Sequence, residues 1–194
     1  MSNITGWSSY NEIGMQQIET VALPFKKLFL DVKPKQVIEI GTSRGGLTLL
    51  LRDLLDELGM SDTELISYDN FEQHKLHHHT NINFINKDVF DDLDNLNQKI
   101  NSAGVSIVLC DGGNKRKEFN TLSKFLKDDD IIMGHDYSPT YEYFKDNVNE
   151  KIWNWLELTE DCIKSSILKY NLVPYMFDDF INVVWVCKIK KPLI

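Results

Sequence analysis

A buried strand, a glycine-rich turn and a leucine-rich helix follow one another at residues 37–51, in the run VIEIGTSRGGLTLLL. At such a junction the first backbone N–H groups of the helix lack partners, and large side chains are absent. A polar, partly anionic ligand can therefore approach the backbone closely, with Glu39 beside it to hold a cation or a hydroxyl group. The run predicts a binding site for a nucleotide-like ligand.

Length and charge limit the class of protein. A chain of 194 residues is long enough for one domain with a full core, so we expect residues 1–194 to form a single domain. The net charge of −8 disfavours broad contact with nucleic-acid phosphates. No run approaches the ~20 apolar residues that span a bilayer, and no signal peptide is visible, so we expect a cytoplasmic protein without membrane partners. Three cysteines without metal-type spacing predict buried free thiols.

Strand-like and helix-like segments alternate along the chain. Strands are predicted at 36–40, 64–69, 82–86, 105–111 and 130–135, and helices at 16–30, 46–58, 90–103, 117–126 and 150–170. This alternation predicts an α/β fold with a doubly wound, mostly parallel sheet covered on both faces. The last two predicted strands, 172–177 and 181–190, are separated by so short a connection that they must be antiparallel.

Acidic residues stand at or just after the ends of the five predicted parallel strands. They are Glu39, Asp69, Asp88, Asp111 and Asp136. In an open doubly wound sheet, ligands bind at these carboxyl ends. We expect Asp69 to accept hydrogen bonds from ribose hydroxyls, Asp88 from an adenine amine, and Asp111 to lie beneath the reactive end of the ligand.

The remaining candidate ligand-binding residues are neighbours of these acids in the chain. They are Gly41, Thr42, Ser43, Gly45, Gly46, Asn70 and Val89. Structural roles compete with these assignments, because Asp69 and Asp88 would also serve as helix N-caps and the sequence Asp111-Gly-Gly as a tight turn.

Several of these motifs resemble a known family. The run EIGTSRGG at 39–46, together with Asp69, Asp88 and Asp111, resembles the class I S-adenosylmethionine-dependent methyltransferases. The runs LCDGGNK at 109–115 and LKDDDIIMGHDY at 126–137 are similar to the cephalosporin hydroxylase and rhamnosyl O-methyltransferase group. The resemblance implies a seven-stranded sheet in the order 3-2-1-4-5-7-6, with strand 7 antiparallel. It also implies O-methylation of a small-molecule or sugar hydroxyl.

Charge favours S-adenosylmethionine over a dinucleotide. The turn has the spacing Gly41-x-x-x-Gly45-Gly46, not the G-x-G-x-x-G of pyrophosphate-binding turns. Acids at the strand ends suit a sulfonium cation and would repel a pyrophosphate. A nicotinamide-dependent oxidoreductase and a non-catalytic cofactor-binding module remain the alternatives, and the oligomeric state, including a homo-oligomer, stays open.

The resemblance also implies a metal site. In the resembled group an acid after strand 4 and two acidic or polar residues after strand 5 hold a divalent cation, and the matching positions here are Asp111, His135 and Asp136. The two aspartates supply the oxygen ligands that Mg²⁺ prefers, whereas His135 departs from that pattern. His135 would instead serve as a general base or as a structural histidine.

Three further features are open to two interpretations each. Lys115 would either counter charge on the acceptor oxygen or be a solvated lysine at a helix start. The aromatic segment 137–144 would either line the acceptor site or pack against the helix that carries Trp153 and Trp155. The histidines at 74 and 77–79 are typical of a solvated loop rather than a metal site.

Overall fold

The computed structural model describes residues 8–71, 81–102 and 104–193. Its strands are β1 (Ser8–Tyr10), β2 (Ile13–Met15), β3 (Gln36–Ile40), β4 (Glu64–Asp69), β5 (Ile82–Asn86), β6 (Ser106–Cys110), β7 (Ile131–Gly134), β8 (Leu172–Pro174) and β9 (Val186–Lys190). Its helices are α1 (Ala22–Val32), α2 (Gly46–Glu57), α3 (Leu93–Ile100), α4 (Lys115–Leu122), α5 (Tyr141–Tyr143), α6 (Glu160–Tyr170) and α7 (Phe177–Phe180). The histidines at 74 and 77–79 lie outside the described residues.

Seven strands form the central sheet, in the order β5-β4-β3-β6-β7-β9-β8. Counted from β3 as the first strand, this is the order 3-2-1-4-5-7-6. Strand β9 runs antiparallel to both of its neighbours, β7 and β8. The five strands β5, β4, β3, β6 and β7 pair in parallel. The predicted fold class and strand order are confirmed.

The sheet is covered on both faces because its central strands are apolar on both sides. In β6, Ile107 and Leu109 pack with α1 and α2, whereas Val108 and Cys110 pack with α3, α4 and α6. Parallel strands buried in this way have continuous apolar sequences, and their positions can therefore be predicted from the sequence. The strands at 36–40, 64–69 and 82–86 match the prediction residue for residue.

The predicted helix at 150–170 is wrong in its first half. Helix α6 begins only at Glu160, and a loop precedes it. Glu150 has a φ of +59°, and the loop buries Trp153 and Leu158 against other parts of the fold. The spacing of Trp153 and Leu156 is that of a helix face, but tertiary packing of the loop accounts for it.

The two ends of the chain also differ from the prediction. Helix α1 begins at Ala22 instead of residue 16, with Pro24 in its first turn, where a missing N–H costs nothing. Between β8 and β9 the chain forms α7 and a 3₁₀ turn, so that the last strand starts at Val186 instead of residue 181. A hairpin of β1 and β2 precedes the domain and had no counterpart in the prediction.

Two smaller expectations concern cysteines and membranes. All three cysteines are free, with Cys110 and Cys187 buried and Cys162 partly exposed. Within the ranges that the structure describes, no helix is long and apolar enough to cross a membrane.

The contact between Gly134 and Leu158 offers a test of how the loop is held. A Cβ added at Gly134, the last residue of β7, would lie 2.3 Å from Leu158 Cδ1, and Leu158 is fully buried. Gly134→Ala should therefore lower the free energy of unfolding in urea by about 1–3 kcal/mol, the cost of overpacking. Gly113→Ala is the matched control, because a Cβ there meets no atom within 4 Å. Equal stability of the two variants would contradict this packing.

Candidate functional site

The glycine turn brings the carboxyl ends of β3 and β6 into contact. A Cβ at Gly41 would lie 2.4 Å from the carbonyl oxygen of Asp111, and its φ is +96°. The Gly41 N–H donates to the carbonyl of Tyr68 at 2.8 Å, which ties the same turn to β4. Only glycine fits this position, so the turn is fixed against both neighbouring strands.

Glu39 lies beneath the turn and not on its open side. The side chain is fully buried, and its Oε2 accepts hydrogen bonds from Thr48 Oγ1 and Ser67 Oγ, both at 2.5 Å. Burial raises the pKa of Glu39 to about 7. The geometry gives no support to direct contact between this carboxylate and a ligand, and places it as a link between β3, β4 and α2.

A cavity of about 260 Å³ lies along the ends of β3, β4, β5 and β6. Among the residues that line it are five predicted ligand-binding residues: Gly41, Asp69, Asn70, Asp88 and Val89. Sequence reasoning missed other residues that line it, among them Tyr68, Phe90, Lys117 and Glu118. Glycine backbone, acids and the two lysines Lys87 and Lys117 together form a lining that suits a polar ligand.

Asp69 and Asp88 line this cavity and also cap backbone. Asp69 accepts from the N–H groups of Ser43 at 2.7 Å and Phe71 at 2.9 Å, and Asp88 accepts from that of Phe90 at 2.9 Å. The capping role that competed with ligand binding is therefore present. The two roles are compatible, because a carboxylate has about four acceptor positions.

A second, smaller pocket of about 30 Å³ lies on the other side of Gly41. The rest of the turn lines it, with Thr42, Ser43 and Gly46, as do Asp111 and residues 14–17. Gly45 has a φ of +88° and stands directly before α2. The β1–β2 hairpin therefore closes the site over the start of α2.

Gln17 joins this N-terminal segment to the centre of the site. Its Nε2 donates to Asp111 Oδ2 at 2.7 Å, and its Oε1 accepts from the indole N–H of Trp185 at 2.9 Å. The contact spans 94 residues of sequence, and no local pattern could have indicated it.

His135 is held between two tryptophans and two carboxylates. Its ring centroid lies 4.9 Å from that of Trp185 and 5.1 Å from that of Trp153. Nδ1 lies 3.1 Å from Asp111 Oδ1 and 3.4 Å from Asp136 Oδ1. Carboxylate oxygens only accept, so Nδ1 carries a proton, whereas Nε2 is buried without a hydrogen-bond partner.

Lys115 is the cation at the centre of the acidic cluster. Its Nζ lies 3.0 Å from Asp136 Oδ2, 3.1 Å from Glu157 Oε1 and 3.8 Å from Asp111 Oδ1. It also donates to the carbonyl oxygen of Gly112 at 3.2 Å. Burial alone would lower the pKa of Lys115, but the charges of Asp111, Asp136 and Glu157 outweigh it and raise the pKa. The interpretation of Lys115 as a solvated surface lysine is therefore wrong, because the residue is 7% exposed.

The donor set does not fit a divalent cation. Lys115 and the indole N–H of Trp153 each bind one oxygen of Asp136, and His135 faces Asp111 through a protonated nitrogen. Mg²⁺ needs free oxygens at about 2.0–2.1 Å. No group of three or more histidine, cysteine or acidic side chains placed to hold a metal ion occurs among the described residues. The site residues are together, but a lysine lies where the resemblance implies a metal.

The turn after β6 is held by a buried acid that the sequence analysis did not single out. Glu118 accepts from the N–H groups of Gly112 at 3.1 Å and Asn114 at 3.0 Å, and burial raises its pKa to about 7. A Cβ at Gly112 would lie 2.5 Å from Glu118 Oε1. This packing fixes the start of α4, and with it the position of Lys115.

The aromatic segment 137–144 divides between the two roles proposed for it. Tyr137 is buried and donates to Glu160, and Phe144 packs in a small cluster with Trp153. Tyr141 and Trp155 are exposed, and Trp155 contacts Trp153 with centroids 5.3 Å apart. A row of aromatic rings therefore leads from His135 to the surface.

Comparisons with known proteins identify the family and the fold of this chain. A protein-family model described as "methyltransferase domain" matches residues 38–137, just over half of the chain. No curated protein matches the sequence.

Solved structures share the fold at low sequence identity. CmcI in an apo form has a TM-score of 0.67 and 14% identity, over 95% of this chain and 77% of CmcI. CmcI with Mg and SAM has a TM-score of 0.65 and 15% identity, over 94% and 76%. A protein assigned as a caffeoyl-CoA O-methyltransferase from Staphylococcus aureus has a TM-score of 0.62 and 15% identity, over 93% and 87%.

The buried Glu39 predicts a pH-dependent stability. Its pKa is about 7 in the folded protein and about 4.5 when exposed, so only the folded state retains the proton between these values. The free energy of unfolding must then fall as the pH rises through this window, by at most about 3 kcal/mol. Glu39→Gln should flatten the dependence measured by urea unfolding from pH 4.5 to 8. The exposed control Glu19→Gln should follow the wild type, and parallel curves for Glu39→Gln would contradict the assignment.

Proposed function

The chain belongs to the methyltransferase-domain family and is an S-adenosylmethionine-dependent methyltransferase; we propose that it methylates a hydroxyl group of a small molecule or sugar. The observation that carries the site assignment is the cavity along the ends of β3 to β6, which is lined by Gly41, Asp69, Asn70, Asp88 and Val89. This is where a doubly wound sheet binds its ligand.

The residues of this cavity fit the cofactor. Gly41 lets the turn lie directly against the backbone of Asp111 and Gly112, and Gly112 lies against Glu118, so that backbone without side chains lines this part of the cavity. Asp69 and Asn70 would hold the ribose and Asp88 and Val89 the adenine, whereas Asp111, which lines the smaller pocket, would lie at the reactive end. When bound, the cofactor supplies an electrophilic methyl group on a sulfonium cation. The chain contributes negative charge that favours this cation and a fixed orientation for the acceptor.

The remainder of the cofactor would lie beside the turn at the smaller pocket, which at about 30 Å³ must widen to admit it. Thr42, Ser43, Gly45 and Gly46 form the turn beside it, and the β1–β2 hairpin covers it. Glu39 would act on the cofactor only through the turn that it supports. A pyrophosphate at this place would meet Asp111, which disfavours the alternative of a nicotinamide-dependent oxidoreductase.

His135 is the residue best suited to accept the proton of an acceptor hydroxyl. The nearby carboxylates hold the proton on Nδ1, so that the free Nε2 is the basic nitrogen. The exposed ring of Trp155, which contacts the buried Trp153, would offer a flat surface to an aromatic or sugar acceptor, and the exposed Tyr141 is a second candidate. Solved structures of similar fold assigned as O-methyltransferases support an oxygen acceptor.

Calorimetric titration tests the cofactor site. We expect S-adenosylmethionine to bind the wild type and NAD to be silent. Asp69→Ala should weaken binding about tenfold to hundredfold, because hydrogen bonds to a charged group are lost. The control Asp91→Ala removes an exposed acid on the same stretch of chain that does not line the cavity. Absence of binding at millimolar S-adenosylmethionine would refute the cofactor, and NAD binding would favour the oxidoreductase.

Turnover tests the role of His135. Release of S-adenosylhomocysteine is measured with a panel of catechols and sugars to find an acceptor. His135→Gln should then lower kcat at least a hundredfold, in line with loss of a general base, and leave the affinity for S-adenosylmethionine within twofold. Loss of the acid limb of the pH–kcat profile in the variant distinguishes a base from a structural histidine. Unchanged kcat would assign His135 to packing alone.

A further inference from the structure

We infer that the ammonium group of Lys115 takes the place of a divalent cation in this site, so that methyl transfer by this chain needs no metal ion. The inference rests on the proposed function, because it concerns the same acidic cluster. Its basis is the set of contacts that Lys115 makes with oxygen atoms of four residues from three parts of the chain.

The ammonium group is saturated by oxygen acceptors. Its three N–H groups match three oxygens within hydrogen-bond distance, those of Asp136, Glu157 and the Gly112 carbonyl. Asp111 Oδ1 adds a fourth, more distant negative charge at 3.8 Å. Carboxylate and carbonyl oxygens are the ligands that a hard metal ion would use. A compact cation already holds them here.

The position of Lys115 in its helix shows that this arrangement is specific. Lys115 is the first residue of α4, where the helix dipole disfavours positive charge. The side chain is nevertheless buried, and it turns back to the acids at the ends of β6 and β7. Asp111, Asp136 and Glu157 compensate the dipole and the loss of water together.

A metal ion would have to displace Lys115 and not merely join it. The second oxygen of Asp136 accepts from the indole of Trp153, and Asp111 is held by Gln17 and His135. A divalent ion among the same oxygens would also lie within a few ångströms of the ammonium, and like charges at that distance repel. The negative charge of the acidic cluster is therefore balanced by the ammonium group of Lys115, which is part of the chain.

Binding of a divalent cation to this acidic cluster can be measured directly with Mn²⁺, a paramagnetic substitute for Mg²⁺. In titrations followed by the EPR signal of free Mn²⁺, the wild type should bind no ion up to 1 mM. Lys115→Ala should create a site at least tenfold tighter than any in the wild type, because it frees three carboxylates around an open space. Arg116→Ala is the matched control, since it removes an exposed positive charge from the next position of α4. The double variant Lys115→Ala/Asp136→Asn should lose the new site.

Two results would overturn the inference. One is stoichiometric Mn²⁺ binding by the wild type that is lost in Asp136→Asn, and the other is failure of folded Lys115→Ala, checked by circular dichroism, to gain a site. If that variant does not fold, the wild-type titration alone decides. S-adenosylmethionine affinity is measured on the same wild-type samples in EDTA and in Mg²⁺, and equal values are expected. Absence of S-adenosylmethionine binding in both buffers would refute the proposed function. The Mn²⁺ titration would still show whether the cluster binds a metal ion.

Discussion

The site depends on the contact between the backbone of Gly41 and that of Asp111 and Gly112. No Cβ fits at Gly41, because it would lie 2.4 Å from the Asp111 carbonyl oxygen. The contact holds the ends of β3 and β6 together, and the ends of β4 and β7 pair with them in register. Four segments that carry acids therefore meet at one edge of the sheet. The cavity and the acidic cluster lie on either side of this contact.

Much of the fold could be predicted because the central strands are buried on both faces. The apolar runs of β3, β4 and β6 admitted one interpretation, and the acids at or after their ends fall where parallel strands must end. The first half of the predicted helix at 150–170 failed for a different reason. Trp153 and Leu156 have helical spacing, but both pack into a cluster with Phe144, and sequence spacing does not distinguish the two cases.

The sequence predicts which residues belong to the candidate site but not which contacts they make with one another. Asp111, Lys115, His135 and Asp136 were singled out by their places after strands, and the structure brings them together. Gln17 and Glu157 were not, because their contacts depend on the hairpin and the loop that close over the sheet. The sequence positions of Asp111, Asp136 and Glu157 also leave open which cation balances their negative charge. That choice depends on where a flexible lysine side chain points.

A lysine and a metal ion would make the same acids behave differently. A bound metal can dissociate, and its affinity depends on pH and on supply, whereas Lys115 is always present at one equivalent. The neighbouring acids raise the pKa of Lys115 and so keep it protonated. Lys115 therefore serves as a fixed positive charge and is poorly suited to be a base. In the proposed reaction the proton of the acceptor hydroxyl must go to another group, and His135, whose Nδ1 faces the same acids while Nε2 has no partner, is the residue proposed for it. Replacement of a metal by Lys115 thus separates two tasks that a metal-bound hydroxyl would combine, namely charge balance and activation of the acceptor.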